Sequence, residues 1–185
     1  MDKTEDRRVR RTKKQLTKAL TKLLLKKSLR DISVIELTEL ADINRGTFYL
    51  HYRDVYDLYD QIENEIKNKF DSIIKSNLNK NTKGVPYPLV LETLQFLKEN
   101  SDVCKAILLT NDTAFLSYLI EGNRPEDDET WEALFGKQNK GLYEYCYSYI
   151  TSGCVGLIKS WFMGGMKEPP EVIAALAERL MSKNY

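Results

Sequence analysis

The sequence predicts an all-α chain with a small N-terminal three-helix domain, a long connecting helix and a second helical domain. Three observations carry this. Apolar residues recur at spacings of three and four in almost every segment, which is the period of a helix with one buried face. No segment alternates apolar and polar residues as a half-buried strand does, and no repeat is visible. And Ser33–Tyr52, SVIELTELADINRGTFYLHY, holds two short helical patterns around a three-residue turn.

The first pattern is Ser33–Ala41. Ser33 is placed to cap it, Glu36 completes a capping box, and Leu37, Leu40 and Ala41 are expected on one buried face. The turn is Asp42-Ile43-Asn44, where Asp42 tolerates a left-handed backbone and Asn44 is a good N-cap. The second pattern is Arg45–Tyr52. Phe48 and Tyr52 face inward, leaving Arg45, Thr47, Tyr49 and His51 outside. So short a helix is unstable alone, so a neighbour must brace it. A braced short helix with that outer face has the form of a recognition helix in helix-turn-helix DNA binding.

Charge agrees with this. Residues 1–53 hold 14 Lys and Arg against 7 Asp and Glu, a net of +7; the rest hold 14 against 20, a net of −6. A basic first third on an acidic remainder suggests that only the first third meets a polyanion. Helix one starts in Arg7-Arg8-Val9-Arg10-Arg11, with Val9, Leu16, Leu20, Leu23 and Leu24 as its apolar stripe. Cations at a helix start oppose its dipole, so helix stability does not explain Arg8, Arg10 and Arg11, whereas a phosphate backbone does.

Asp54 caps the next helix, whose stripe runs from Val55 through Leu58, Tyr59, Ile62, Ile66, Phe70 and Ile73 to Ile74. The expected division is therefore a helix-turn-helix domain over 1–53, a connecting helix over 54–77 and a second domain over 78–185. In the second domain Gly84–Pro88 punctuates the chain, Leu89–Asn100 reads as a helix, Ser101 or Asp102 caps another through Leu109, and Asp112 caps Thr113–Ile120. Glu121–Glu129 reads as a loop and Trp131–Phe135 as a short apolar piece. Asn139–Gly165 is the longest helix there, and Pro169-Pro170 opens the last, with Val172, Ile173, Leu176, Ala177 and Leu180 on one face.

Other classes of function find little support. There is one histidine, in the recognition pattern, and no Gly-x-Ser-x-Gly elbow, phosphate-cradling glycine loop or carboxylate cluster. No enzyme, cofactor or metal site is expected. Cys104, Cys146 and Cys154 cannot all pair and read as reduced, space-filling thiols. The first residues are charged and no apolar run approaches membrane-spanning length, so a cytoplasmic protein without membrane contact is expected.

A monomeric helix-turn-helix makes few base contacts, so a homodimer is expected. Gly153, Gly156, Ser160 and Gly164 lie at spacings of three, four and four, and helical glycine costs roughly 1 kcal/mol against alanine. Close approach of another helix gives that stripe a reason. Ile150, Leu157 and Trp161 flank it, and Ile173, Ala177 and Leu180 on the last helix complete a two-fold four-helix bundle.

The run from the basic first helix through Ile32-Ser33-Val34, the turn, Asn44-Arg45-Gly46-Thr47-Phe48-Tyr49-Leu50-His51-Tyr52 and Asp54 resembles the TetR/AcrR family of bacterial transcriptional regulators. Gly156-Leu-Ile-Lys-Ser-Trp-Phe-Met-Gly-Gly-Met-Lys-Glu followed by Pro-Pro resembles the penultimate helix and the start of the last helix in a subgroup that includes regulators linked to dihydroxyacetone kinase. The resemblance implies double-stranded operator DNA as partner. Arg45, Gly46, Thr47 and Tyr49 would meet base edges, and Ser33, His51 and Tyr52 phosphates, with Asn44 beside them. It also implies an apolar effector cavity in the second domain, for which Phe96, Leu108, Phe115, Tyr118, Trp131, Phe135 and Tyr147 are the candidates. The regulator is read as a repressor released by a small molecule; a co-regulator whose second domain binds a protein partner is the alternative. Two positions depart from the family: Asp42 stands where glycine is frequent, and Val55 where lysine is usual, which removes one expected phosphate contact.

Overall fold

A computed structural model of the chain describes residues 7–77, 87–108, 110, 132 and 140–182. Every regular element among them is helical: α1 (Arg7–Leu24), a 3-10 turn (Leu29–Asp31), α2 (Val34–Ala41), α3 (Arg45–Tyr49), α4 (Val55–Asn77), α5 (Tyr87–Glu99), helical residues 101–108, a 3-10 turn (Lys140–Leu142), α6 (Tyr143–Met163) and α7 (Pro170–Ser182). The described residues fall into two compact units. One takes those of Met1–Ile66 and Ser101–Asp112, the other those of Lys67–Asn100 and Thr113–Tyr185. The first unit thus includes the first half of α4 as well as residues 101–108.

In the first unit α1 packs on α2 and α2 on α3. The α1 stripe closes the core with Leu16, Leu20, Leu23 and Leu24, joined by Ala19, while Val9 is half-buried. The start of α4 is capped twice over. Asp54 accepts from the N–H of Asp57 at 2.8 Å, and the Asp57 carboxylate reaches back to accept from the N–H of Arg53 at 2.8 Å. That backbone bond chiefly holds Asp57 below the usual carboxylate range, with Gln61 and the Arg53 guanidinium adding to it. Val55, Leu58, Tyr59, Ile62 and Ile66 are buried along one face of α4, and Glu63 with them. Burial, with Glu63 and Asp60 near, pushes the Tyr59 phenol upward. Lys13 of α1 pairs with Glu65 of α4 at the surface, where such pairs are worth little. Cys104, Ala106 and Ile107 are buried, and burial pushes the Cys104 thiol up to about 12.

In the second unit α5 packs on α7 and on α6, and α6 on α7. α5 begins at Tyr87, two residues earlier than the sequence suggests, because Pro88 in the first turn has no helical N–H to lose. Its buried Val90, Leu94 and Leu97 face the core, and Phe96 meets Phe70 of α4 edge-on at 5.2 Å. Asn77 closes α4 by donating to the carbonyl of Ile73 and the carboxylate of Glu92. α6 ends in a tight turn: Gly165 (φ 92°) and Met166 (φ 53°) are left-handed, and Met166 N–H returns to Trp161 O at 2.9 Å. The buried Trp161 indole N–H donates to Glu168 O at 2.9 Å, tying the turn to the start of α7. Residues 109, 111–131 and 133–139 lie outside the described set, and with them the expected Thr113–Ile120 helix, the Glu121–Glu129 loop and most of Trp131–Phe135.

Candidate nucleic-acid interface

The interface is built on α2 and α3. Ser33 is extended, and its hydroxyl accepts from the N–H of Glu36 at 3.2 Å, so α2 starts one residue later at Val34. The reciprocal half of the expected capping box is replaced, because the Glu36 carboxylate is engaged by Lys27. The buried face of α2 is Leu37, Thr38 and Ala41. Leu40 is 47% exposed, against expectation. At 100° per residue it lies about 110° from the middle of that face, and Thr38 takes the place instead. Thr38 tolerates burial because its hydroxyl donates to Val34 O, with Ile35 O also in reach.

Asp42 ends α2 in the left-handed region (φ 54°, ψ 49°), and Ile43 N–H closes back on Thr38 O at 3.0 Å. Asn44 then caps α3 by accepting from the N–H of Gly46 at 2.7 Å. α3 is regular only over Arg45–Tyr49; Leu50 and His51 form its last turn, but Tyr52 N–H still bonds Phe48 O at 2.9 Å, so the helical phase is kept to Tyr52. Phe48 is wholly buried, which stabilises by roughly 1.5–3 kcal/mol, and its ring meets Tyr49 at 5.4 Å and Tyr52 at 5.5 Å. This plug is what braces so short a helix.

The predicted contact residues separate by burial. Arg8, Arg10, Arg11, Ser33, Asn44, Arg45, Gly46 and Tyr49 are exposed; Thr47 and His51 are half-buried. Tyr52, read as a phosphate contact, is 5% exposed and serves the core. Ser33 and Asn44 act as caps through oxygen lone pairs, and each keeps a donor, the hydroxyl proton or the amide N–H₂, for an anion. Val55, where the resembling family has lysine, is buried and offers an anion nothing. Leu50 was not among the predicted contacts. It is 79% exposed and shares the outer face with Gly46 and Thr47; helical phase, rather than residue type, was the signal for it.

The remaining candidates scatter. Of the cavity candidates, Phe96 and Leu108 are half-buried and Tyr147 is buried, with Leu108 in the first unit and the other two in the second. Phe115, Tyr118, Trp131 and Phe135 lie outside the described residues. An open cleft lined by Gln95, Lys98, Glu99, Lys167, Glu168, Pro169, Pro170 and Glu171 includes none of them. On α6 the small-residue stripe Gly153, Gly156, Ser160 and Gly164 is exposed, and among the described residues a Cβ at Gly153 or Gly156 meets nothing within 4 Å. Leu157 is half-buried. Ile150, Trp161, Ile173 and Ala177, expected at an intersubunit face, are buried within the protomer, whereas Leu180 is 55% exposed. The apolar set of α7 therefore divides: Ile173, Ala174 and Ala177 turn inward, Val172 and Leu180 outward. Among the described residues no His, Cys, Asp and Glu group could hold a metal, and no helix is long and apolar enough to cross a membrane.

Residues 84–183, more than half of the chain, match the TetR family described as a transcriptional regulator C-terminal region. The chain belongs to the TetR family of transcriptional regulators. No curated protein matches it. Among solved structures, a transcriptional regulator of the TetR/AcrR family from Aquifex aeolicus VF5 is 21% identical, with 91% of this chain and 97% of that one covered at a TM-score of 0.66. The dihydroxyacetone kinase operon activator DhaS is 19% identical, and the fatty acid degradation regulator FadR from Bacillus halodurans 14%. Each of these two covers 91% of this chain and 93% of its own at a TM-score of 0.58. At these identities the likeness shows a shared TetR-family fold.

Proposed function

We propose that this TetR-family chain is a homodimeric, sequence-specific DNA-binding regulator in the cytoplasm, acting as a repressor that a small-molecule effector releases. The observation that carries the reading is the braced α3: Phe48 anchors it from below, while Arg45, Gly46, Thr47 and Tyr49 occupy its margins and outer face in the basic third of the chain. Arg45 offers a bidentate donor pair to guanine, and the arm of Arg8, Arg10 and Arg11 supplies phosphate contacts that fix register without reading sequence. The exposed Gly153–Gly156–Ser160 line of α6 and the outward Val172 and Leu180 of α7 supply the surface for a second copy.

Selection of bound duplexes from a random pool, followed by titration of the selected site, tests this. Arg45→Ala is expected to weaken binding by about 1–3 kcal/mol per contact and to relax preference at one base pair in each half-site. Deleting residues 1–11 is expected to weaken all sequences alike and to flatten the salt dependence. An Arg45→Ala protein with unchanged affinity and preference would refute the assignment. Thermal shift with small molecules, run beside pull-down from cell extract, separates an effector from a protein partner.

A further inference from the structure

The outermost direction of α3 is not polar. Leu50 lies two residues after the buried Phe48 and two before the buried Tyr52, so at 100° per residue it stands about 160° from each. It is 79% exposed, and its backbone is still helical (φ −70°, ψ −21°), with its N–H bonded to Gly46 O at 3.2 Å. Gly46 is one turn earlier on nearly the same line. Among the described residues a Cβ there would meet only the capping oxygen of Asn44, at 3.1 Å, so the outer side of Gly46 is open backbone. Leu50 therefore follows the bare turn at Gly46 along one outer line of the helix, with none of its side-chain atoms within 4 Å of where a Gly46 Cβ would stand, so the two positions leave the line open. The polar residues are set to the sides: Arg45 and Tyr49 on one flank, Thr47 and the half-buried His51 on the other.

A lone exposed leucine carries no meaning by itself. Its place does. If α3 enters a major groove, its apex meets base edges first, and that apex can neither donate nor accept a hydrogen bond through a side chain. Guanine, adenine and cytosine present hydrogen-bonding groups there and no methyl, and an aliphatic cap would desolvate those groups without repayment. Thymine alone presents a methyl group. We infer that Leu50, one turn after Gly46 on the outer line of α3, reads a thymine methyl at the centre of each half-site. The inference rests on the DNA-binding reading above and goes beyond it by naming the base class met by a residue outside the expected contacts.

The test uses the selected operator with each thymine replaced in turn by deoxyuridine, which lacks only the methyl. Wild-type protein is expected to lose about fourfold in affinity at one thymine per half-site, the equivalent of ~0.8 kcal/mol for one buried carbon. Leu50→Ala, at an exposed position that leaves the fold intact, is expected to bind the thymine operator with a similar loss and to ignore deoxyuridine at that site. Three outcomes would overturn the inference: no thymine shows a methyl effect; Leu50→Ala binds as tightly as wild type; or Leu50→Ala weakens all duplexes equally while the methyl effect persists. Binding retained without a methyl effect removes only the role of Leu50. Wild-type protein that selects no duplex at all removes the DNA-binding reading with it.

Discussion

Asp42 shows how one residue sets the angle between two helices. Its left-handed backbone (φ 54°, ψ 49°) turns the chain from α2 toward α3, and Asp accepts this better than most residues with a Cβ because its short carboxylate bonds locally. Asp42→Val is expected to cost about 1–2 kcal/mol in urea unfolding, whereas Asp42→Gly should stay within about 1 kcal/mol of wild type, since relief of the Cβ clash is offset by a freer unfolded chain. Equal stability of the valine variant would show that the turn does not depend on this conformation. The capping residues Ser33, Asn44 and Asp54 and the plug Phe48 were all legible in the sequence, since each acts within four residues of itself. Leu40 and Thr38 were not: hydrophobicity ranks leucine first for burial, and only the bonds from the Thr38 hydroxyl to the backbone above it reverse the order. For Tyr52 the resemblance suggested a phosphate contact, while its spacing of four from Phe48 placed it inward, and inward is where it lies.

Among elements, α4 depends on a charge at its first turn. The Asp57 carboxylate is held below its ordinary value of 3.8, chiefly by the Arg53 N–H. A lowered folded-state value means that the ionised form is the stabilising one: its contribution is present above the ordinary value and disappears as pH falls through the folded one. Asp57→Asn is therefore expected to melt below wild type at neutral pH and to converge with it below pH 3.8. A gap that stays constant with pH would assign the effect to shape rather than charge. The helical stripes of α1 and α4 were readable because one period ran unbroken along each. On α7 the same rule merged two faces into one, because Val172, Ile173, Leu176, Ala177 and Leu180 are all apolar and spacing alone cannot say which side meets α5 and α6.

For the whole molecule, the exposed glycines of α6 separate a reason within the protomer from a reason between copies. Among the described residues nothing stands within 4 Å of a Cβ at Gly153 or Gly156, so no described neighbour requires either glycine, and each weakens the helix by roughly 1 kcal/mol against alanine. Gly156→Leu is accordingly expected to keep or raise the melting temperature of the separated subunit. In sedimentation at micromolar concentration it should leave a monomer that has lost tight operator binding. A wild-type protein that already sediments as a monomer would end the dimer reading. The cost of glycine marked this stripe in the sequence, but Ile150 and Trp161 beside it and Ile173 and Ala177 on the last helix, expected at the same interface, are buried within the protomer. Which of two apolar faces a helix spends on its own subunit is settled by the packing of three helices at once, and no local pattern encodes it.

The tie between α6 and α7 has a practical consequence. Trp161 is 4% exposed and its indole N–H is bonded to a carbonyl seven residues on, across two left-handed residues. The chain's other tryptophan is Trp131. With Trp131 replaced by phenylalanine, the protein carries a single tryptophan at this joint, excited selectively at wavelengths its tyrosines do not absorb. Water reaching the indole shifts its emission to the red, so opening of the hairpin can be timed against loss of circular dichroism from the helices, with no dye attached.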